Sequence, residues 1–432
     1  MKYVNSGNGK VPCITLIAVL SVSLVINLPG LAVSPMLSQI TKIFHAPMLE
    51  SQLLTSLPNL CMIPVVIIAG ILATPKRQTC VLAIGMSLFL LSGIFCFFAK
   101  TIGQLIFLSC TSGVGCGLVV PIAAGYISEW FSGQWRQKDL GLKSTVSNAM
   151  VIIANVYVGW IAMIHWRAAF VVYLIPIIPL LLIPFMTQKY VAKNREIGGG
   201  TLVTPAQTSQ TSGPSDSSTA LHFHGKPSLL MLIRLILLYM FLTYCTTSIS
   251  YYSPFLMDHY GMSTAEVGVV TACYYLMCSV AGAFVAKLRI FFGPKVIFIC
   301  LGLCAAGLIT IGVTHSFGIY MLASLLTGFG YGIIQPIIYN KTTYVAPTRK
   351  LGTTYFGYVL SANYMGIMLV PYIDTFFRKL FKATSPGFEF SFSGIVVLLL
   401  LGWALLEHKN YVFAVDPTSS APTPKEIAEA DE

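Results

Sequence analysis

Residues 328–336 read GFGYGIIQP, and residues 113–121 read GVGCGLVVP. Gly328, Gly330 and Gly332 stand at alternate positions with Pro336 four residues after the third, and Gly113, Gly115, Gly117 and Pro121 repeat that spacing. In a helix interior a glycine costs about 1 kcal/mol and a proline about 3 kcal/mol relative to alanine. Neither stretch therefore serves intrinsic helix stability. A phosphate-cradling loop is excluded too, because the spacing is G-x-G-x-G rather than G-x-G-x-x-G and no G-K-[ST] follows. Both stretches lie inside long apolar runs. There, Gly113 with Gly117 and Gly328 with Gly332 make G-x-x-x-G faces for close helix approach. Pro121 and Pro336 permit a bend, which a membrane helix tolerates when its neighbours satisfy the freed carbonyl.

Working outward, the two stretches are offset by 215 residues, Gly328 against Gly113. Gly70, Leu72 and the pair Lys76/Arg77 correspond to Gly282, Phe284 and Lys287/Arg289, with an offset of 212 at the glycine. Gly141 in DLGL corresponds to Gly352 in KLGT, with an offset of 211. Three matches in the same order at nearly constant offset predict two homologous halves.

Composition sets the medium. Of 432 residues 56% are hydrophobic and 9% charged, and the mean hydropathy is +0.78. Soluble chains carry about 25% charged residues, so this is an all-α polytopic membrane protein whose apolar surface meets a lipid bilayer. The net charge of +11 is not gathered into a patch but spread between apolar runs, the pattern of membrane loops rather than of a nucleic-acid-binding surface. Apolar stretches near 20 residues long cross about 30 Å of hydrocarbon. Twelve such transmembrane helices are predicted, at roughly 11–33, 51–73, 80–99, 104–130, 144–164, 168–187, 229–255, 265–286, 296–314, 317–340, 352–373 and 390–406. The first lacks a small-residue cleavage site and reads as a span, not a removable signal.

The expected organisation is a six-helix half over 1–187, a flexible Gly/Ser/Thr-rich cytoplasmic linker over 188–227, a second six-helix half over 228–410 and a disordered cytoplasmic tail over 411–432. Of the 26 Lys/Arg residues, only Lys42, Lys100, Arg167, Arg378, Lys379 and Lys382 fall in loops on the side opposite the termini. That asymmetry predicts both termini in the cytoplasm. Arg378, Lys379 and Lys382 crowd one outer loop, for which the sequence offers no reason. The eleven cysteines form no CxxC pair or Cys/His cluster and read as small apolar packing residues. His45, His165, His259 and His315 fall in separate outer loops. Neither a membrane-embedded enzyme nor a metal or other cofactor is expected, and without a phosphate-binding Lys motif neither is ATP-driven transport.

Two six-helix halves with glycine-proline helices at equivalent positions resemble the major facilitator superfamily. In that family the loop after the second helix reads G-x-L-x-D-R-x-G-R-K-x-x-L. Here GILATPKRQTCVL keeps Gly70, Leu72 and Leu82 in register but has Thr74 and Pro75 where Asp-Arg would stand. HWRAAF, with Trp166, Arg167 and Phe170, is similar to the family's entry to its sixth helix. The resemblance implies a transporter working by alternating access, of the type found in the bacterial inner membrane. It implies gating by Gly70, Lys76 and Arg77, with Glu129 as a replacement partner for the lost acidic residue of the loop or as an interfacial residue facing water. Ser109 stands where drug antiporters of the family carry Arg, and ANVYVGW over 154–160 lacks their G-P-x-x-G-G.

Ionisable residues deep in a membrane are costly and usually functional. By position, Glu129, Arg234, Lys341, Asp374 and Glu389 all fall towards span ends. What the spans offer instead is neutral polarity. The resemblance assigns helices 1, 4, 7 and 10 to a central cavity. On three of them lie Asn27, then Tyr239, Thr243, Thr246, Thr247, Ser250, Tyr251 and Tyr252, then Gln335, Tyr339 and Asn340. The expected solute-binding set is Asn27, Tyr239, Thr243, Thr247, Ser250, Tyr251, Gln335 and Tyr339, with Asn59, Asn148, Asn155, Tyr274, Tyr275, Asn363 and Tyr364 on supporting helices. Rings and amides without fixed charge suit a small neutral, amphipathic or weakly charged organic solute. Efflux of such a compound, uptake of a neutral nutrient and a non-transporting sensor or scaffold remain alternatives. Protons or sodium are the candidate coupling ions, and a monomer is expected.

Overall fold

Prolines decide where the helices break. The computed structural model describes residues 3–5, 10–72, 77–130, 133–186, 229–345, 349–408 and 412–413. The stretch expected as one helix over 11–33 divides into α1 (Cys13–Val22), α2 (Leu28–Leu31), a 3-10 turn at Ser34–Met36 and α3 (Leu37–Phe44). Pro29 and Pro35 each sit in the first turn of a new segment, where the missing N–H costs nothing. The stretch over 168–187 likewise divides into a 3-10 segment at Trp166–Leu174, α8 (Ile177–Leu182) and a 3-10 turn at Ile183–Met186, with Pro176, Pro179 and Pro184 among them.

The remaining helices are longer: α4 (Met48–Leu72), α5 (Gln78–Cys96), α6 (Ile102–Trp130), α7 (Gly133–Ile164), α9 (Leu229–His259), α10 (Thr264–Ala283), the short α11 (Val285–Phe292), α12 (Val296–Val313), α13 (Phe317–Val345), α14 (Arg349–Leu380) and α15 (Phe388–Leu406). Pro58, Pro64, Pro121, Pro254, Pro336 and Pro371 lie inside them without ending them. Among the described residues ten helical segments are long and apolar enough to cross a membrane. Two short strands precede α1: Tyr3–Asn5 pairs antiparallel with Lys10–Pro12, Tyr3 opposite Pro12.

Local chemistry explains several joints. Between α9 and α10 the chain turns through Gly261 at φ +75°, a left-handed position that glycine takes without strain. Ser263 then caps α10. Its Oγ accepts from the Glu266 N–H at 3.3 Å while the Ser263 N–H donates back to the Glu266 carboxylate at 2.7 Å.

Two buried apolar clusters form the core, one drawn from residues between Ala18 and Met186 and the other from residues between Leu232 and Phe413. Their main seams with each other are α7 against α10 and α4 against α14. The repeated glycines seat helices inside each cluster. Gly113 meets the Pro58 backbone of α4, and a Cβ on Gly117 would stand 3.2 Å from Met62 O of the same helix. A Cβ on Gly115, between them, would stand 2.6 Å from Gly85 O of α5. The second stretch makes the same three contacts: Gly328 meets Tyr274 O of α10, a Cβ on Gly332 would lie 2.5 Å from Cys278 O of α10, and Gly330 meets Cys300 O of α12. Alternate spacing thus turns glycines to two neighbours at once. Outward, Phe98, Phe107, Leu181, Leu399 and Leu406 are exposed, as a lipid-facing surface requires.

The linker over 188–227 and Lys76 lie outside the described residues, as do the side chains of Glu129, Lys287, Arg289 and Asn340; Arg77 is described and exposed. Of the tail expected from Tyr411 onward, Val412 and Phe413 are described. Both are buried, the Phe413 ring 5.1 Å from that of Trp403, and Lys341 Nζ donates to Val412 O at 3.0 Å.

Candidate functional site

Three helices bring uncharged polar groups together in the second cluster. On α13, Tyr331, Gln335 and Tyr339 recur every four residues and so share one stripe. That stripe meets Tyr239 and Thr243 of α9 and Asn363 of α14. Tyr239 and Tyr339 join through their hydroxyls at 2.7 Å, their rings edge to face at 5.5 Å between centroids. Gln335 Nε2 donates to both hydroxyls, at 2.9 Å to Tyr239 and 3.2 Å to Tyr339. Beside this trio Thr243 Oγ1 donates to Asn363 Oδ1 at 3.0 Å and lies 3.3 Å from the Tyr331 hydroxyl. Tyr331 also reaches Asn363 Oδ1 at 3.5 Å. The sequence singled out Tyr239, Thr243, Gln335 and Tyr339 and set Asn363 among the supporting residues. Tyr331 it passed over, although the four-residue spacing to Gln335 carried the signal.

The other expected solute contacts sit apart from this network. Asn27 donates to Ser147 Oγ of α7 at 2.9 Å, within the first cluster. One helical turn before Ser147, the half-buried Lys143 lies near Cys116, an interior cation the sequence reading did not weigh. Ser250 pairs with the Tyr275 hydroxyl at 2.8 Å, and Thr247 and Tyr251 are buried further along α9.

The end of the bundle that carries the Phe44–Met48 turn is here called distal. Close to it, polar groups tie the two clusters together. Lys42 Nζ lies 2.6 Å from Asp258 Oδ1, Ser34 Oγ donates to Ser250 O, and Thr271 Oγ1 donates to Asn155 Oδ1 at 3.2 Å.

Asp374, Glu389 and Lys341 lie within six residues of a helix end, yet they are 0%, 2% and 2% exposed. Neighbouring segments cover them: Tyr244 of α9 donates to Asp374 Oδ1, Arg378 pairs with Glu389 at 3.0 Å, and Val412 closes over Lys341. Arg378 also donates to Ser385 O at 2.6 Å, which gives one of the crowded basic residues a structural role. Arg234 pairs with Glu407 at 3.1 Å. Among the described residues no group of three or more His, Cys, Asp or Glu side chains is placed to hold a metal ion, and the cysteines are free.

A sequence model of the Major Facilitator Superfamily matches residues 14–371. The chain belongs to that family. As a member of the Major Facilitator Superfamily it is an integral membrane transporter and not an enzyme. No curated protein matches its sequence. Among solved structures it is similar to the inward-open xylose transporter XylE from E. coli, at 16% identity and TM-score 0.72 over 94% of this chain and 97% of that one. It is similar to a POT family transporter in complex with a thioalcohol-conjugated peptide, at 13% identity and TM-score 0.70 over 92% and 96%. It is also similar to an inward-facing, unoccupied bacterial homolog of the human lysosomal transporter Spinster, at 14% identity and TM-score 0.64 over 94% and 98%. At such identities the likeness speaks for the fold of this superfamily member and leaves its solute open.

Proposed function

We propose that this chain is a secondary transporter that moves a small organic solute by alternating access, two six-helix halves rocking about a central site. The single observation that carries the reading is the uncharged network of Tyr239, Thr243, Tyr331, Gln335, Tyr339 and Asn363 on three helices. Three phenol rings supply apolar walls and two amides and a hydroxyl supply orientation, the mixture that small-molecule sites use. A neutral, amphipathic solute fits this chemistry, and efflux is the direction we favour. Gln335 and Asn363 also suit a hydroxylated neutral nutrient, and that observation keeps an uptake permease as the second reading. Lys143 adds a cation on the Asn27 side, so weak acids belong among the solutes tested.

Support for two halves comes from the glycine contacts made twice and from the two apolar clusters. With both termini in the cytoplasm, as the Lys/Arg distribution favours, the distal end faces outward. The Lys42–Asp258 and Ser34–Ser250 ties then describe an outward-closed state. The bacterial inner membrane, a monomeric unit and coupling to protons or sodium complete the proposal. Purified chain in liposomes, given a panel of radiolabelled neutral solutes and weak acids under imposed proton or sodium gradients, tests it in both directions. Flux of any panel member that Gln335→Ala abolishes supports the reading. A protein that moves nothing under either gradient is the scaffold alternative.

A further inference from the structure

Asp374 is the one acid that the described structure buries completely without pairing it to a cation. It lies on α14 six residues before the helix ends at Leu380, roughly 9 Å from that end at 1.5 Å per residue. Its Oδ1 accepts from the Tyr244 hydroxyl, while Oδ2 has no hydrogen-bond partner. The groups that face it can be named element by element. From α9 come the Tyr244 and Tyr252 hydroxyls and the Cys245 thiol. From α15 comes Glu389, whose charge is answered by Arg378 of α14 itself. From α4, in the other cluster, Gln52 approaches Tyr252, and its Nε2 is also buried without a partner. Asp374 thus lies where α14 and α9 come against α4, just below the distal closure made by Lys42 and Asp258.

We propose that Asp374 is a proton-binding site whose occupancy controls whether the distal ends of the two halves stay together. A buried carboxylate without a cation is strongly disfavoured, and either a proton or water must relieve it. Protonated, the carboxyl is neutral and can itself donate from Oδ2, and α14 stays packed against α4. Deprotonated, the charge is relieved by admitting water, which requires α14 and α4 to part. A metal cation fits the same place poorly, because one free carboxylate oxygen and an amide do not make the six or so oxygens that hard cations gather, and Arg378 stands nearby. The site also has a route to the solute network. Adjacent residues of α9 hold α14 at two points about three turns apart: Thr243 bonds Asn363 in that network, and Tyr244 bonds Asp374 nearer the distal end.

This inference rests on the alternating-access reading for its purpose but not for its test, since no solute is needed. The full chain in lipid nanodiscs is followed by infrared difference spectroscopy and by hydrogen–deuterium exchange at several pH values. The expected spectrum contains a protonated-carboxyl band that Asp374→Asn removes and Glu389→Gln keeps. With each rate divided by the intrinsic amide rate at the same pH, protection in peptides covering α4 and the distal part of α14 is expected to fall several-fold as pH rises, and to stay high at every pH in Asp374→Asn, which mimics the protonated acid. Tyr244→Phe removes a donor to the carboxylate and is expected to move the transition to higher pH by about one unit, a tenfold change in proton concentration. An identical pH profile in Asp374→Asn, an unmoved transition in Tyr244→Phe, or a response to sodium at fixed pH would each overturn the proposal. Failure of the solute panel alone leaves these outcomes unchanged, so the two readings can fail separately.

Discussion

Gly159 of α7 and Gly268 of α10 lie directly against each other: a Cβ on Gly268 would stand 3.1 Å from the Gly159 Cα and 2.5 Å from Asn155 O. This is a point where the two apolar clusters touch with no side chain between them.

Gly159→Val and Gly268→Val are therefore expected to destabilise the detergent-solubilised protein by roughly 1–3 kcal/mol, the cost of overpacking. Thermal unfolding followed by tryptophan fluorescence checks this. Gly302→Ala, where an added Cβ meets nothing within 4 Å, is the control and is expected to change little. Equal melting temperatures in all three would mean the α7–α10 contact is loose.

The glycine twins make a symmetrical prediction. Gly115→Leu and Gly330→Leu each drive a side chain into the backbone of a neighbouring helix and should lower stability by similar amounts, again roughly 1–3 kcal/mol. Gly103 and Gly318 begin the same two helices and face open space, so alanine at either is expected to be tolerated. A large loss at one twin and none at the other would argue against equivalent halves.

For the solute network, Gln335→Ala removes the shared donor yet leaves the Tyr239–Tyr339 hydrogen bond in place. Loss of one or two hydrogen bonds of about 1 kcal/mol each predicts a five- to thirtyfold weaker solute affinity. Asn363→Ala should act similarly, and Thr247→Ala, outside the network, much less. Binding of whichever panel solute is transported, read by scintillation proximity, separates these outcomes.

Lys42 and Asp258 make a test of the distal closure. Their side chains are 65% and 32% exposed, so the pair contributes at most about 1 kcal/mol and less at high salt. Lys42→Asp is expected to raise the accessibility of the distal end to a membrane-impermeant thiol reagent, using Ser253→Cys, a buried α9 position whose hydroxyl makes no hydrogen bond, in a cysteine-free background. Adding Asp258→Lys should restore protection. Restoration that is absent at low salt would rule the pair out as a tie.

Arg378→Ala leaves Glu389 buried without its cation, and removing one partner of a buried pair costs roughly 3–5 kcal/mol. Arg378 is one-third exposed, so the lower figure is expected. Lys382→Ala, just past the end of the same helix, should be silent. Thermal unfolding again decides, and rescue by Glu389→Gln in the Arg378→Ala background would tie the loss to that carboxylate.

Much of this architecture could be read along the chain. Apolar length located the spans to within a few residues over most of the sequence, because the bilayer demands about 20 apolar residues whatever the neighbours are. At 11–33 Pro29 and Pro35 divide the continuous apolar run into short helices, whereas Trp166–Met186 stays long and apolar enough to cross a membrane even though Pro176, Pro179 and Pro184 break it into 3-10 and α turns. Hydropathy is blind to a missing N–H. Of the candidate site, the stripe on α13 was legible as a four-residue repeat, whereas Asn27, grouped by helix number, bonds Ser147 apart from that stripe, a partner no local pattern names.

GFGYGIIQP holds both kinds of information. Its glycines determine by spacing alone that two helices can pack closely on this one, since the absence of a Cβ is a property of the residue itself. That Tyr331 and Gln335 between them meet Tyr239, Thr243 and Asn363, and that Asp374 is sealed under Tyr244, only the tertiary structure decided. A hydrogen-bond partner and the depth of a charge are set here by residues 32 to 130 positions away, and no local pattern encodes them.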